Sequence, residues 1–215
     1  NQLWFDLAIV PFILLSTYYM LQKKYFWSGL ALGIAILTKQ TAGLFLIING
    51  LWLMVKYKNP RKLFIFLTGP LLLFSILILR LITEGAVLGF FNWVLVYPLV
   101  WWNKFPGYVQ MALTKTQLAT MLFISVPAIL LIIKRKFNFF VIIYLISLIL
   151  IYPRFSFFHF QFGIAVSAIL FGVFLSKVKI PRILHATYYI LLFVLICLPV
   201  LKSDWGKETR FWGKE

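Results

Sequence analysis

The chain has 215 residues, 63% of them hydrophobic and only 12% charged, with a mean hydropathy of +0.97. Soluble domains carry about 25% charged residues, so that class is excluded and an all-α, polytopic transmembrane helical bundle is expected. A formal charge of +16 would suggest nucleic acid in a soluble chain. Here the Lys and Arg residues fall in short clusters between apolar runs, so an anionic membrane face accounts for them and no nucleic-acid partner is expected.

In chain order, eight helical segments are predicted, at residues 3–21, 26–38, 41–55, 63–82, 117–133, 137–151, 160–176 and 183–201. Every second connection is basic: Lys23 and Lys24; Lys56, Lys58, Arg61 and Lys62; Lys134, Arg135 and Lys136; Lys177, Lys179 and Arg182. Positive-inside sorting puts these loops in the cytoplasm and both termini on the extracytoplasmic side of a multi-pass inner (plasma) membrane protein.

The second and third segments come from one apolar run, GLALGIAILTKQTAGLFLIINGLWLMV, broken by Lys39 and Gln40. Basic clusters flank it on both sides and belong to the same face, which requires an even number of crossings. One helix from Phe26 to Val55 would also be about 45 Å long against a hydrocarbon core of about 30 Å. A hairpin of two short helices follows, each about 20 Å long, with Lys39 and Gln40 at its tip in a protein-lined, wetted recess. Within the first arm, Gly29 and Gly33 form a GxxxG that lets another helix approach closely.

Residues 83–116 are expected to form an extracytoplasmic loop, too broken by Gly, Pro and Asn to span. Phe90, Phe91, Trp93, Tyr97, Trp101, Trp102, Phe105 and Tyr108 make it an aromatic shelf suited to the membrane interface, as a half-buried helix. A minority of these rings are candidates to stack on sugar rings or lipid chains, and the sequence does not pick which.

Ionisable groups at membrane depth are costly and point to function by default. Asp6 opens the first span, where the helix dipole also favours a negative charge. Lys39 tops the hairpin. Arg80 and Glu84 are four residues apart and are expected to pair with each other. Arg154 and His159 lie in YPRFSFFHFQ, and His159 is the one of these groups that titrates near neutral pH unperturbed. His185 reads as an interface residue. The lone Cys197 forms no internal disulfide. No Walker loop, GxGxxG, nucleophilic triad or zinc-ligand spacing is present.

The segment GLALGIAILTKQTAG resembles the "aGLllGlalLTKp" signature of the multispanning type C glycosyltransferase superfamily, particularly the relatives of protein O-mannosyltransferases and of the lipid A aminoarabinose transferase. Asp6, in FDLAIVPF, resembles an Asp that opens an earlier span in those proteins. YPRFSFFHFQFGIAVSAILF is similar to their later "sRy..yllPllpflail" region. The resemblance implies a membrane-borne polyprenyl-phosphate sugar donor and transfer of its sugar to an acceptor on the extracytoplasmic face. It also implies that Asp6 lies in support beside the catalytic cavity, Lys39 near its floor, and Arg154 and His159 near the donor phosphate; Lys39 is expected to join them in binding that phosphate, and Gln40, Trp101 and Trp102 to line the substrate.

The family's catalytic acidic residue lies in an outer loop after the first span, and no matching loop precedes Asp6. The chain is therefore expected to be either a C-terminal portion of a longer enzyme, the favoured reading, or a degenerate relative. No cofactor is certain, and a divalent metal is compatible with the chemistry. The chemistry itself requires cations to stabilise the departing phosphate and a carboxylate to take the acceptor's proton. Two alternatives stand beside this one: a transporter or flippase for a lipid-linked saccharide, and a non-catalytic membrane subunit.

Overall fold

The computed structural model describes residues 5–101, 115–134, 138–149 and 161–175, together with Thr187, Ile190 and Val194. Among the described residues the chain is helical, without strands. The helices are α1 (Phe5–Leu21), α2 (Tyr25–Thr38), α3 (Gly43–Tyr57), α4 (Pro60–Thr83), α5 (Val87–Phe91), α6 (Lys115–Ile133), α7 (Phe139–Ile149) and α8 (Gln161–Leu175). Among the described residues α4 is the one helix long and apolar enough, by length and composition, to cross a membrane. At 24 residues it is about 36 Å long.

Local chemistry explains where these helices stop and start. The hairpin tip is a polar run, Thr38 to Thr41, in which Lys39 is extended (φ −153°, ψ 120°) and Gln40–Ala42 forms a single 3-10 turn leading into α3. Helix α4 begins at Pro60, earlier than the expected 63. Asn59 caps it, its side-chain oxygen accepting from the Arg61 N–H at 3.0 Å, and Pro60 fits the first helical position because it has no N–H to satisfy. The helix ends in a Schellman motif: the Ala86 N–H donates to the Leu81 carbonyl (2.8 Å) and the Gly85 N–H to the Ile82 carbonyl (3.1 Å). Gly85 takes the left-handed conformation (φ 64°) this requires.

Residues 83–116, expected to hold a half-buried interfacial helix in a connection too broken to span, are described as far as Trp101. After the turn at Gly85 the chain is helical from Val87, and α5 continues as a π-helical segment, Asn92–Trp101, that contains Pro98. An apolar run cannot leave its backbone groups unpaired in an apolar setting, and wide π turns let a helix continue past a proline. Of the last expected helix, Thr187, Ile190 and Val194 are described and helical.

The chain divides into two compact units, Asn1–Ala112 with Ile142–Val166, and Leu113–Val141 with Ser167–Glu215. In the first, α2 packs most extensively on α4 and on α1. Gly29 lies against Phe66, and Gly33 against Pro70 and Leu73, so contacts advance in the same direction along both helices and α2 runs parallel to α4. Two small-residue surfaces make the approach possible. A β-carbon on Gly69 would lie 2.4 Å from the Leu30 nitrogen and 2.6 Å from the Phe26 carbonyl oxygen. The expected GxxxG contact is thus made, and its partner is α4. Phe45 of α3 meets Phe162 edge-on, with ring centroids 4.9 Å apart.

In the second unit, Ile124, Ala128, Leu131, Leu170 and Phe171 are buried. The Ser167 hydroxyl donates to the Ile124 carbonyl, tying α8 to α6. Lys134, just after α6, holds its ammonium 5.0 Å from the Phe174 ring centroid.

Candidate functional site

Helices α2, α3 and α4 bring their charges to two opposite ends. At one end, the first residue of α2 and the last of α3 meet, with the Tyr25 and Tyr57 rings 6.1 Å apart. Lys62, in the first turn of α4, stands 3.9 Å over the Tyr57 ring and 5.9 Å from Tyr25. Lys56 lies 5.2 Å over Trp52 and 5.4 Å from Tyr57. These distances suit cation–π contact, which holds an ammonium against an aromatic face without a carboxylate. The two basic connections after α1 and α3 therefore share this end.

Lys39 lies at the other end. Helix α2 has 14 residues, so its length carries Lys39 about 21 Å away from Tyr25. Its backbone closes both arms of the hairpin: the Lys39 N–H donates to the Ala35 carbonyl at 2.9 Å, and its own carbonyl accepts from the Ala42 N–H at 3.0 Å. Lys39 is half-buried, whereas Gln40 beside it is exposed. Thr38 turns its hydroxyl back onto the Ile34 carbonyl (2.9 Å), so it competes little for a ligand at the tip.

The remaining expected site residues divide as follows. Asp6 belongs to the first turn of α1, with its side chain outside the described residues. Trp101 ends the π-helical segment and is exposed. Trp102, Arg154 and His159 lie outside the described residues, so their expected convergence with Lys39 falls there too. Arg80 and Glu84 do pair, Nε to Oε1 at 2.9 Å, on an exposed face.

One polar group was missed in the sequence. Ser16 of α1, Ser28 of α2 and Asn49 of α3 are fully buried together. The Ser28 hydroxyl donates to the Ser16 carbonyl at 2.8 Å, the two hydroxyls are 3.1 Å apart, and Asn49 Nδ2 reaches Ser16 Oγ at 3.4 Å. Among the described residues Asn49 Oδ1 has no hydrogen-bond partner. The available signal was small polar residues inside three apolar helices, a pattern that marks interhelical contact.

Compared with family models, curated proteins and solved structures, the chain matches none.

Proposed function

We propose that the chain is the multi-pass membrane domain of a glycosyltransferase, which moves a sugar from a polyprenyl-phosphate donor to an acceptor on the extracytoplasmic face. The observation that carries this reading is the half-buried Lys39 at the tip of the α2–α3 hairpin, at the end away from the basic connections. A cation held between apolar helices at that depth suits an anionic group arriving from the membrane. Its fixed position suits the charge that grows on a departing phosphate.

In this reading Lys39 and Arg154 stabilise the leaving phosphate, with His159 beside them and Asp6 in a supporting place. Gln40, Trp101 and Trp102 line the sugar and its acceptor. The membrane reading is supported by the apolar helix α4 and by the run of shorter apolar helices around it. The alternation of basic connections orients the domain, with Lys23 and Lys58 cytoplasmic and Lys39 outward.

The test uses membranes containing the full chain, supplied with polyprenyl-phosphate donors that carry a radiolabelled sugar. Label leaving the lipid fraction is transfer, and Lys39→Gln combined with Arg154→Gln should abolish it. Unchanged turnover in that variant would remove the phosphate role. Label that changes leaflet yet stays on its lipid would replace the transferase with a flippase.

A further inference from the structure

The basic end carries a surplus of charge that the hairpin tip does not explain. Lys23, Lys24, Lys56, Lys58, Arg61 and Lys62 gather around it, and no acidic residue occurs between Asp6 and Glu84. Lys56 and Lys62 rest on aromatic faces. Lys23 and Lys24 are exposed and have no side-chain partner among the described residues. Both line a cleft of about 560 Å³, together with Tyr19, Phe26, Trp27 and Ile65.

Two features of this cleft point to an amphiphilic anion. First, Lys23 is in the left-handed conformation (φ 59°), at the position of a Schellman turn where glycine is favoured. The Lys24 N–H donates to the Tyr19 carbonyl at 2.9 Å and the Lys23 N–H to the Met20 carbonyl at 3.1 Å. The turn fixes the backbone of both lysines at the cleft, as the left-handed Lys58 (φ 48°) does for the next basic connection outside it. Second, the cleft opens onto an apolar track. Ile65 at its wall is followed along the same face of α4 by Leu72, Ile76 and Leu79, all exposed, at helical spacing. Trp27, 53% exposed, stands beside the ammonium groups as aromatic rings do at headgroup level. A free phosphate or a nucleotide has no use for this track, whereas an acyl chain does.

We propose that this cleft seats an anionic phospholipid of the cytoplasmic leaflet, its phosphate between the Lys23 and Lys24 ammonium groups and one acyl chain along Ile65, Leu72 and Ile76. The proposal rests on the membrane reading above and is independent of the transferase. Basic pockets between helices at the cytoplasmic surface bind lipid phosphates by charge-assisted contacts, and here the turn places two adjacent lysines on one cleft.

The experiment reconstitutes the full chain into vesicles of phosphatidylcholine alone, and of phosphatidylcholine with phosphatidylglycerol, and measures the lipid that stays with the protein after gentle extraction. Phosphatidylglycerol should be enriched over its bulk share. The double variant Lys23→Gly, Lys24→Gln should weaken that enrichment roughly tenfold, from about one kcal/mol per cation lost near the surface, less screening. Folding is protected in this variant because glycine relieves the turn. Lys58→Gly, which removes a cation from the same end outside the cleft, should leave the enrichment in place.

Several results would overturn the proposal. No enrichment would do so, as would equal loss in the Lys58 variant, which reduces the effect to net charge. Displacement of the lipid by inorganic phosphate alone would make the cleft a soluble-anion site instead. A chain that does not co-float with phosphatidylcholine vesicles overturns the membrane reading and this proposal together. A chain that co-floats without preference overturns the proposal alone.

Discussion

Gly29 of α2 sits against the backbone of Phe66 in α4 so closely that a β-carbon on Gly29 would lie 1.8 Å from the Phe66 carbonyl oxygen. Only a side chain of hydrogen fits there, and the obstacle is backbone that cannot rotate away. Packing of this kind brings the two backbones into contact, so that dispersion acts along both helices.

Gly29→Ala should therefore force α2 and α4 apart and lose about 2–4 kcal/mol, comparable to overpacking a tight core. Gly43, at the start of α3, has nothing within 4 Å of its would-be β-carbon and is right-handed (φ −57°). Gly43→Ala should be neutral or gain up to about 1 kcal/mol by helix propensity. Unfolding of the two variants in detergent, followed by circular dichroism, makes the comparison. Equal stabilities would mean that the α2–α4 contact is not close.

The buried polar group makes a second, asymmetric prediction. Ser28 makes the short bond to the Ser16 carbonyl, so Ser28→Ala should cost about 1 kcal/mol. Asn49 contributes only a long 3.4 Å bond while its Oδ1 lacks a partner among the described residues. Asn49→Val, much nearer in volume than leucine and without polar atoms, should be close to neutral, since removing a poorly satisfied buried group recovers its desolvation cost. If Asn49→Val proves more damaging than Ser28→Ala, the amide is held by ordered water or a ligand.

The hairpin predicts opposite sidedness for two lysines separated by a single helix. With Cys197 replaced by Ser, Lys39→Cys and Lys58→Cys should react with impermeant thiol reagents from opposite faces of sealed vesicles. Labelling of both from the same face would sink the hairpin.

The exposed Arg80–Glu84 pair should matter little. Its geometry is good, at 2.9 Å, but the two side chains are 76% and 51% exposed, and solvent screens such pairs. Glu84→Gln should change stability by less than about 0.5 kcal/mol, and added salt should erase even that difference. A loss well above this in a thermal melt would assign Glu84 a partner beyond Arg80.

The sequence by itself determined what depends on near neighbours along the chain. The break at Lys39 and Gln40 follows from a polar run inside an apolar one, the gathering of basic residues from the alternation of connections, and the Arg80–Glu84 pair from helical spacing. The close-packing face at Gly29 and Gly33 was legible for the same reason. Its partner was not: that α4 lies parallel to α2, offering Gly69 and the Phe66 carbonyl, depends on how the helices dock, and small residues advertise a face without naming what meets it. Docking also decided that Ser16, Ser28 and Asn49 share one interior. It likewise decided that Lys62 of α4 rests on Tyr57 of α3, because a cation in a chain poor in carboxylates takes whichever aromatic face the fold brings within reach, whereas Lys56 over Trp52 spans one helical turn of α3. Within residues 83–116 an interfacial helix was expected, but that it starts at Val87 and carries Pro98 in π turns was not legible, since composition counts breakers one by one whereas a backbone satisfies its hydrogen bonds together. The position of Lys39 at the hairpin tip is thus local chemistry, and its depth of burial there is the work of the helices packed around it.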